Sequence, residues 1–257
     1  MHLIGQFPLP FLFVAGFIAT GMNALAGGGS FVSLPALIAV GLPSVVANAS
    51  NTVALWPGGI AGAWTYHEGF RPVCGVPLGR LLAATAVGGV AGSVLLLLTP
   101  SSAFDRILPW LLLVATLAMA FAPRLRTMVS GHLPNAAVPL LLAQFVLGIY
   151  GGYFGGAVGL MMLTAWLLFG ETRVKALNAP RTLLVVTTKS VAVAAFVVAG
   201  IVRWPETLAM LVGGLAGGAA GARLGRIVPS RYARPFTLVW MAGMTGVFFW
   251  RAYAMMP

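Results

Sequence analysis

The sequence predicts an all-α integral membrane protein with an inverted-topology repeat. Each half is a broken re-entrant helical hairpin followed by three transmembrane helices. Three observations carry this reading: a composition too apolar for water, a set of phrases written twice in the same order, and basic residues concentrated in alternate loops.

Composition comes first. Of 257 residues, 60% are hydrophobic and 7% charged, with a mean hydropathy of +0.97. A soluble domain carries roughly a quarter charged residues, so this chain lacks the polar surface to cover a globule in water. The apolar runs Pro8–Ala26, Leu81–Leu98, Ile107–Ala122, Leu183–Val202 and Phe236–Trp250 approach or match the ~20 residues that cross a bilayer as a helix. They are continuously apolar rather than alternating, which argues against a β-barrel. No Lys or Arg precedes the first run in "MHLIGQFPLP", so a cleaved signal peptide is not expected. The single Cys74 offers neither a disulfide nor a metal cluster and reads as a small packing residue. The net charge of +11 sits at the ends of apolar runs, where it reports topology rather than nucleic-acid binding. Nothing in the composition calls for a cofactor.

The repeat is seen in four matched phrases. "GMNALAGGGS" (21–30) parallels "GIYGGYFGGAV" (148–158), so Gly28-Gly29 matches Gly155-Gly156. "NASNT" (48–52) returns as "NAPRT" (178–182), and "VGGVAGS" (87–93) as "VGGLAGG" (212–218), each of the latter followed by Pro-Ser. The offsets of 127, 130 and 125 residues keep their order, which predicts an internal duplication with halves at 1–128 and 129–257.

The charges orient the halves. Arg71 and Arg80 flank the 67–80 loop, and Arg124 and Arg126 lie in 123–134. Arg173 and Lys175 lie in 170–176, and Arg223, Arg226, Arg231 and Arg234 crowd 223–234. Assigning these loops to the cytoplasm and the basic-poor loops at 41–47, 99–106 and 202–206 to the periplasm gives one consistent path, with both termini outside. Residues 8–41 and the segment between 134 and 170 then each start and end on one side, yet are short for two full spans. A hairpin bent at Gly27-Gly28-Gly29 or Gly155-Gly156 fits both. The three remaining spans per half make the second half upside down, for six full spans in all.

The bends and polar phrases supply a candidate site. Irregular backbone at membrane depth is tolerated only where protein buries it or water reaches it, and paired interrupted segments point to a transporter's binding site. Close helix packing is the competing reading of these glycines. It is the preferred reading for Gly88, Gly92, Gly213, Gly217, Gly221 and Gly225, which recur every four residues. Asn48, Asn51 and Thr52, and likewise Asn178, Arg181 and Thr182, gather on one helix face by their three- and four-residue spacing. Under inverted symmetry both faces point at one central axis, where amides and hydroxyls can bind an oxyanion. Helix capping at the membrane surface is the alternative for "NASNT". Arg181 either reaches the site or extends back to the interface near Lys175.

Lys189 has no such escape. It falls mid-span, at a cost of ~2.5–3.5 kcal/mol on insertion scales, and no acid lies in its span to pair with it. All four acids, Glu68, Asp105, Glu171 and Glu206, fall in or beside loops. Its natural partner is an anionic solute. The first half has "WPGG" (56–59) at the matching position, so the site is chemically one-sided.

These residues are familiar in another way. The sequence resembles the sulfite exporter family, TauE/SafE, of anion permeases. The resemblance covers essentially the whole chain and rests on "AGGGSFVSLPALIAVGLPSVVANASNT" and "YGGYFGGAVGLMMLTAWLLFGETRVKALNAPRT". The second turn departs from the family's Gly-rich pattern, since Ala157 and Val158 follow Gly155-Gly156. The family implies transport of sulfite, sulfonates or related organosulfur anions through the bacterial inner membrane.

The leading reading is therefore a secondary transporter for sulfite or a small organosulfonate, with the anion bound at midplane between the halves. Its partners are that anion, membrane lipid and, optionally, a second copy of the chain. A passive anion channel on the same scaffold and a transporter of a small carboxylate are the alternatives. An intramembrane enzyme is disfavoured, because His2, His67 and His132 are scattered and no carboxylate lies at depth.

Overall fold

The computed structural model describes residues 8–25, 27–128, 137–170, 174–224 and 230–254. Among them ten α-helices follow one another. The first five are α1 (Pro8–Leu25), α2 (Ser30–Ala39), α3 (Ser44–Thr65), α4 (Leu78–Leu98) and α5 (Ser101–Met128). The second five are α6 (Ala137–Tyr153), α7 (Val158–Leu168), α8 (Asn178–Val198), α9 (Trp204–Leu224) and α10 (Ser230–Ala254). Short 3₁₀ turns at His67–Gly69 and Val174–Leu177 sit in the connections, and Val73 and Val76 pair in one isolated bridge.

Local chemistry sets the boundaries. Pro43, Pro77 and Pro100 each stand just before a helix, where the missing N–H costs nothing. Gly41 and Gly200 end α2 and α8 at positive φ, and the following N–H groups reach back five residues, Leu42 to the Leu37 carbonyl and Ile201 to the Phe196 carbonyl.

Five helices are long and apolar enough to cross a membrane: Pro8–Leu25, Leu78–Leu98, Ser101–Phe121, Asn178–Val198 and Trp204–Leu224. Their outward faces expose large apolar side chains such as Val14, Ile18, Val87, Val90, Val94 and Leu98. A monomer in water does not leave so much apolar surface uncovered, and lipid is the solvent that suits it. This is a multi-pass membrane protein. The 18-residue α1, read above as one arm of a bent hairpin, is by itself of spanning length, whereas its partner α2 has 10 residues. Trp204–Leu224 was not among the apolar runs, because Glu206 and its glycines dilute it.

Packing is dominated by two helix pairs, α1 with α9 and α4 with α6. Glycine makes both possible. A Cβ on Gly213 or Gly217 would overlap the carbonyls of Phe13 or Phe17, and one on Gly92 would overlap the carbonyl of Ile149. Gly88 lies against Phe145, Gly152 against Gly89, and Gly221 against Gly21. These glycines pack within the chain, as their spacing predicts; Gly225 lies outside the described residues. So do Arg173, Arg226 and residues 129–134 of the 123–134 loop, whose first half continues α5 to Met128.

The central pair, α3 and α8, runs antiparallel. Trp56 Nε1 donates to Ser190 Oγ at 2.9 Å, Gly59 faces Val186, Gly62 faces Thr182, and Gly69 faces Ala179. Helices α5 and α10 are antiparallel too, with Tyr253 bonded near Arg106, Thr116 to Thr245, and Arg234 to the Met119 carbonyl. A continuous apolar cluster that includes Phe31, Leu34, Phe104, Phe154 and Phe196 fills the space beside α3.

Candidate functional site

The two breaks between helices are built differently. At the first, Gly27 and Gly28 take φ of +90° and +83°, and the N–H of Gly29 donates to Asn23 Oδ1 at 2.8 Å. Asn23 thus satisfies one N–H at the start of α2, while those of Gly28 and Ser30 have no acceptor among the described residues. Gly28 is pressed against α10, where a Cβ would stand 3.0 Å from Met241 Sδ and 3.1 Å from Thr237 Cγ2. Gly29 has no room for a side chain beside the Ala19 carbonyl.

At the second break, Gly155 and Ala157 take φ of +74° and +57°. The N–H groups of Phe154 and Gly155 both reach the Tyr150 carbonyl, and those of Leu160 and Met161 both reach the Ala157 carbonyl. The N–H groups of Gly156, Ala157, Val158 and Gly159 between them have no acceptor among the described residues, and no side chain caps α7. Tyr150, the counterpart of Asn23, instead brings its hydroxyl to within 3.0 Å of the Gly156 carbonyl and 3.2 Å of the Leu111 carbonyl. The start of α7 therefore keeps its orphan donors and the partial positive charge of a helix N-terminus. Gly156 packs against the Phe154 ring.

The "NASNT" face of α3 is clamped between the two breaks. Asn48 is 1% exposed, and its Nδ2 donates to the Tyr153 carbonyl at 2.9 Å. Its Oδ1 is buried with no partner among the described residues. Asn51 Oδ1 accepts from Ser33 Oγ of α2 at 2.5 Å. Thr52 Oγ1 donates to the Asn48 carbonyl at 2.9 Å and lies 3.9 Å from where a Cβ on Gly155 would be. None of these side chains caps a helix. Helix α3 begins at Ser44, after Pro43, with no side-chain cap.

The matching face of α8 is less enclosed. Asn178 is half-buried, and its carbonyl accepts from Thr182 Oγ1 at 2.7 Å. The Arg181 stem lies against Gly159, with Cδ at 3.6 Å from a Cβ built there, and Val185 abuts the same glycine at 3.1 Å. Arg181, Val185 and Lys189 are spaced by four and so form one stripe, whose first two members face the first turn of α7. Lys189 is 9% exposed and has no hydrogen-bond or ion-pair partner among the described residues. Glu206 is engaged with Arg203 at 3.7 Å, at the far end of α8.

The structure strings these groups along the α3–α8 pair instead of gathering them at a point. Lys189 lies level with Trp56, so Asn48 and Arg181, each eight residues away, stand ~12 Å to either side along the helices. The segment 153–159 spans the interval from Asn48 to Val185. Asn23, Ser33 and Tyr150 were not anticipated. Asn23 had a signal in its place six residues before Gly29, but Ser33 and Tyr150 had none beyond being polar tips in apolar runs.

The chain matches the family described as "Sulfite exporter TauE/SafE" over residues 12–248. The chain belongs to the TauE/SafE family. This TauE/SafE protein is 28% identical over 243 residues to a "Probable membrane transporter protein" of Haemophilus influenzae, covering 94% of each chain. It is 27% identical over 250 residues to "Probable membrane transporter protein YfcA" of Escherichia coli K12, covering 95% of this chain and 91% of that one. A "Probable membrane transporter protein ORF9" of Sinorhizobium sp. is 25% identical over 235 residues. No solved structure matches the chain. The TauE/SafE protein is thus a membrane transporter.

Proposed function

We propose that this TauE/SafE protein is a secondary transporter of sulfite or a small organosulfonate across the bacterial inner membrane, binding the anion between Lys189 and the uncapped start of α7. One observation carries the reading. A buried lysine with no partner among the described residues shares a helix stripe with Arg181 and Val185, which pack against Gly159 at the start of α7, where N–H groups lack acceptors. A buried cation one helical turn beyond Val185 and an uncapped helix N-terminus are costly in one apolar region unless an anion joins them, and such donors suit an oxyanion. The asymmetry with the first break, where Asn23 caps α2, supports a single site rather than two.

The same reading includes the architecture. The element lengths run long, short, long, long, long in each half. The antiparallel course of the equivalent helices α3 and α8, and of α5 and α10, favours halves related by a two-fold axis in the membrane plane. The two breaks are then re-entrant bends that meet near midplane, where Gly27 lies against Leu160. Phe154 of the second break belongs to a buried apolar cluster with Phe196, which favours a gated transporter over an open channel.

The test is thermal stabilisation of the purified protein by sulfite, with radiolabelled sulfite flux in proteoliposomes. Saturable flux with counterflow supports the reading. Protein that neither binds nor moves sulfite or a sulfonate contradicts it.

A further inference from the structure

Helix α9 is written in small residues where it passes α1. Gly217 and Gly221 lie against the backbone of Phe17 and Gly21, which only a missing Cβ permits. The same stretch presents no long side chain to α10, which touches α1 lightly and, among the described residues, barely meets α9. An apolar groove of about 230 Å³ is left among the three helices. Its walls include Ile18 and Met22 of α1, Ala220 and Leu224 of α9, and Phe236 and Thr237 of α10. Ile18, Leu224 and Phe236 are exposed, so the groove opens outward, where lipid is the solvent. One end of it is strongly basic. Arg223 stands exposed beside Leu224 at the close of α9, and Arg234 follows the wall residue Ala233 early in α10. Arg226 and Arg231 lie between them in sequence, and no acid occurs after Glu206, at the opposite end of α9. Arg234 spends one of its several N–H donors on the Met119 carbonyl, at 2.6 Å. The start of α10 adds the partial positive charge of a helix N-terminus.

We infer that an anionic phospholipid of the surrounding bilayer binds here, with one acyl chain in the α1–α9–α10 groove and its phosphate on the arginines of 223–234. A basic pocket between membrane helices suits such a headgroup, and the planar guanidinium matches phosphate oxygens. A second copy of the chain fits less well. A pair related by an axis along the membrane normal would set two equal arginine clusters side by side. The bound chain also braces the first break. Thr237 lies against Gly28, and the Met22 carbonyl accepts from the Gly27 N–H at 3.1 Å. Lipid binding at this groove is independent of which solute the protein moves.

The full-length protein in nonionic detergent is titrated with dioleoyl phosphatidylglycerol, dioleoyl phosphatidylcholine or inorganic phosphate, and its thermal midpoint is followed. Phosphatidylglycerol is expected to raise the midpoint at about 10-fold lower concentration than phosphatidylcholine, and phosphate alone to leave it unchanged. Arg223→Gln shrinks that advantage about 5-fold. Arg80→Gln, an equal charge change at the start of α4, keeps it. Ala220→Phe fills the groove and moves the response to both lipids to higher concentration. The lipid ratio is read within one protein sample, so a lowered basal midpoint does not erase it. Equal response of wild type to the two lipids overturns the headgroup contact, as does a full advantage in Arg223→Gln. Unchanged lipid responses in Ala220→Phe overturn the groove. Stabilisation by phosphate alone gives the arginines to a free anion and overturns the lipid. Cross-linking of two copies through Phe236→Cys, in a Cys74→Ser background, seats a second copy in the groove and contradicts the proposal.

Discussion

Asn48 and Tyr153 join the two halves of the chain by one hydrogen bond, amide to carbonyl, at 2.9 Å and across 105 residues of sequence. The bond ties α3 to the end of α6 just before the second break. Both groups are buried, so losing one partner strands the other. Asn48→Ala is expected to destabilise the protein by about 1–3 kcal/mol, read as a lowered thermal midpoint. Thr182→Val removes only a bond to its own helix, from a half-buried position, and changes the midpoint little. Equal effects of the two substitutions would remove the special status of the Asn48 bond.

Helix packing gives a sharper contrast between glycines. A methyl on Gly92 would overlap the Ile149 carbonyl, while one on Gly58 meets nothing within 4 Å. Gly92→Ala should separate α4 from α6 and cost about 1–3 kcal/mol. Gly58→Ala, inside α3, should be neutral or stabilise by up to about 1 kcal/mol through helix propensity. Denaturation midpoints of both variants decide the matter.

How far these relationships were legible follows from their range. Periodic glycines announce close backbone contact, and Gly88, Gly92, Gly213 and Gly217 do make it; their partners were invisible, since spacing names a face and not what lies across it. Lys189 was legible because burying a charge is costly whatever the fold. The break after Leu25 was legible as Gly27-Gly28-Gly29, but the full helical length of α1 was not, because the sequence does not say which side of a bend is short. Tyr153 as the partner of Asn48 depends on packing between distant segments. The Gln144 side chain had a local signal, as a lone amide in "LLLAQFVLG". It donates to Thr85 and accepts from Trp166, a buried link among α4, α6 and α7.

The breaks themselves are open to substitution. Gly28 and Gly155 hold φ of +83° and +74°, which a β-branched residue adopts only at a cost of order 1–3 kcal/mol. Gly28→Val also meets Met241 and Thr237. We expect both Gly28→Val and Gly155→Val to reach the membrane and to lose sulfite flux. Wild-type flux in both would reduce the glycines to packing residues.

Orientation is tested by chemical access in whole cells. Cys74→Ser supplies the background, keeping a polar atom near the Trp166 carbonyl that Cys74 Sγ contacts. Single cysteines at Glu68, Arg80 or Arg223 should resist an impermeant thiol reagent, and one at Arg203 should react. The reverse pattern inverts the topology.

The central claim is that Lys189 holds the anion. Lys189→Met keeps much of the side chain's volume and removes its charge, so membrane insertion should be unchanged or improved. A charge-assisted hydrogen bond contributes ~1.5–3 kcal/mol, and its loss corresponds to roughly 10- to 150-fold in affinity. The measurement is sulfite-induced thermal stabilisation of Lys189→Met beside wild type, over a concentration series. The account predicts a response displaced to higher sulfite by that factor; superimposable curves for the two proteins contradict it.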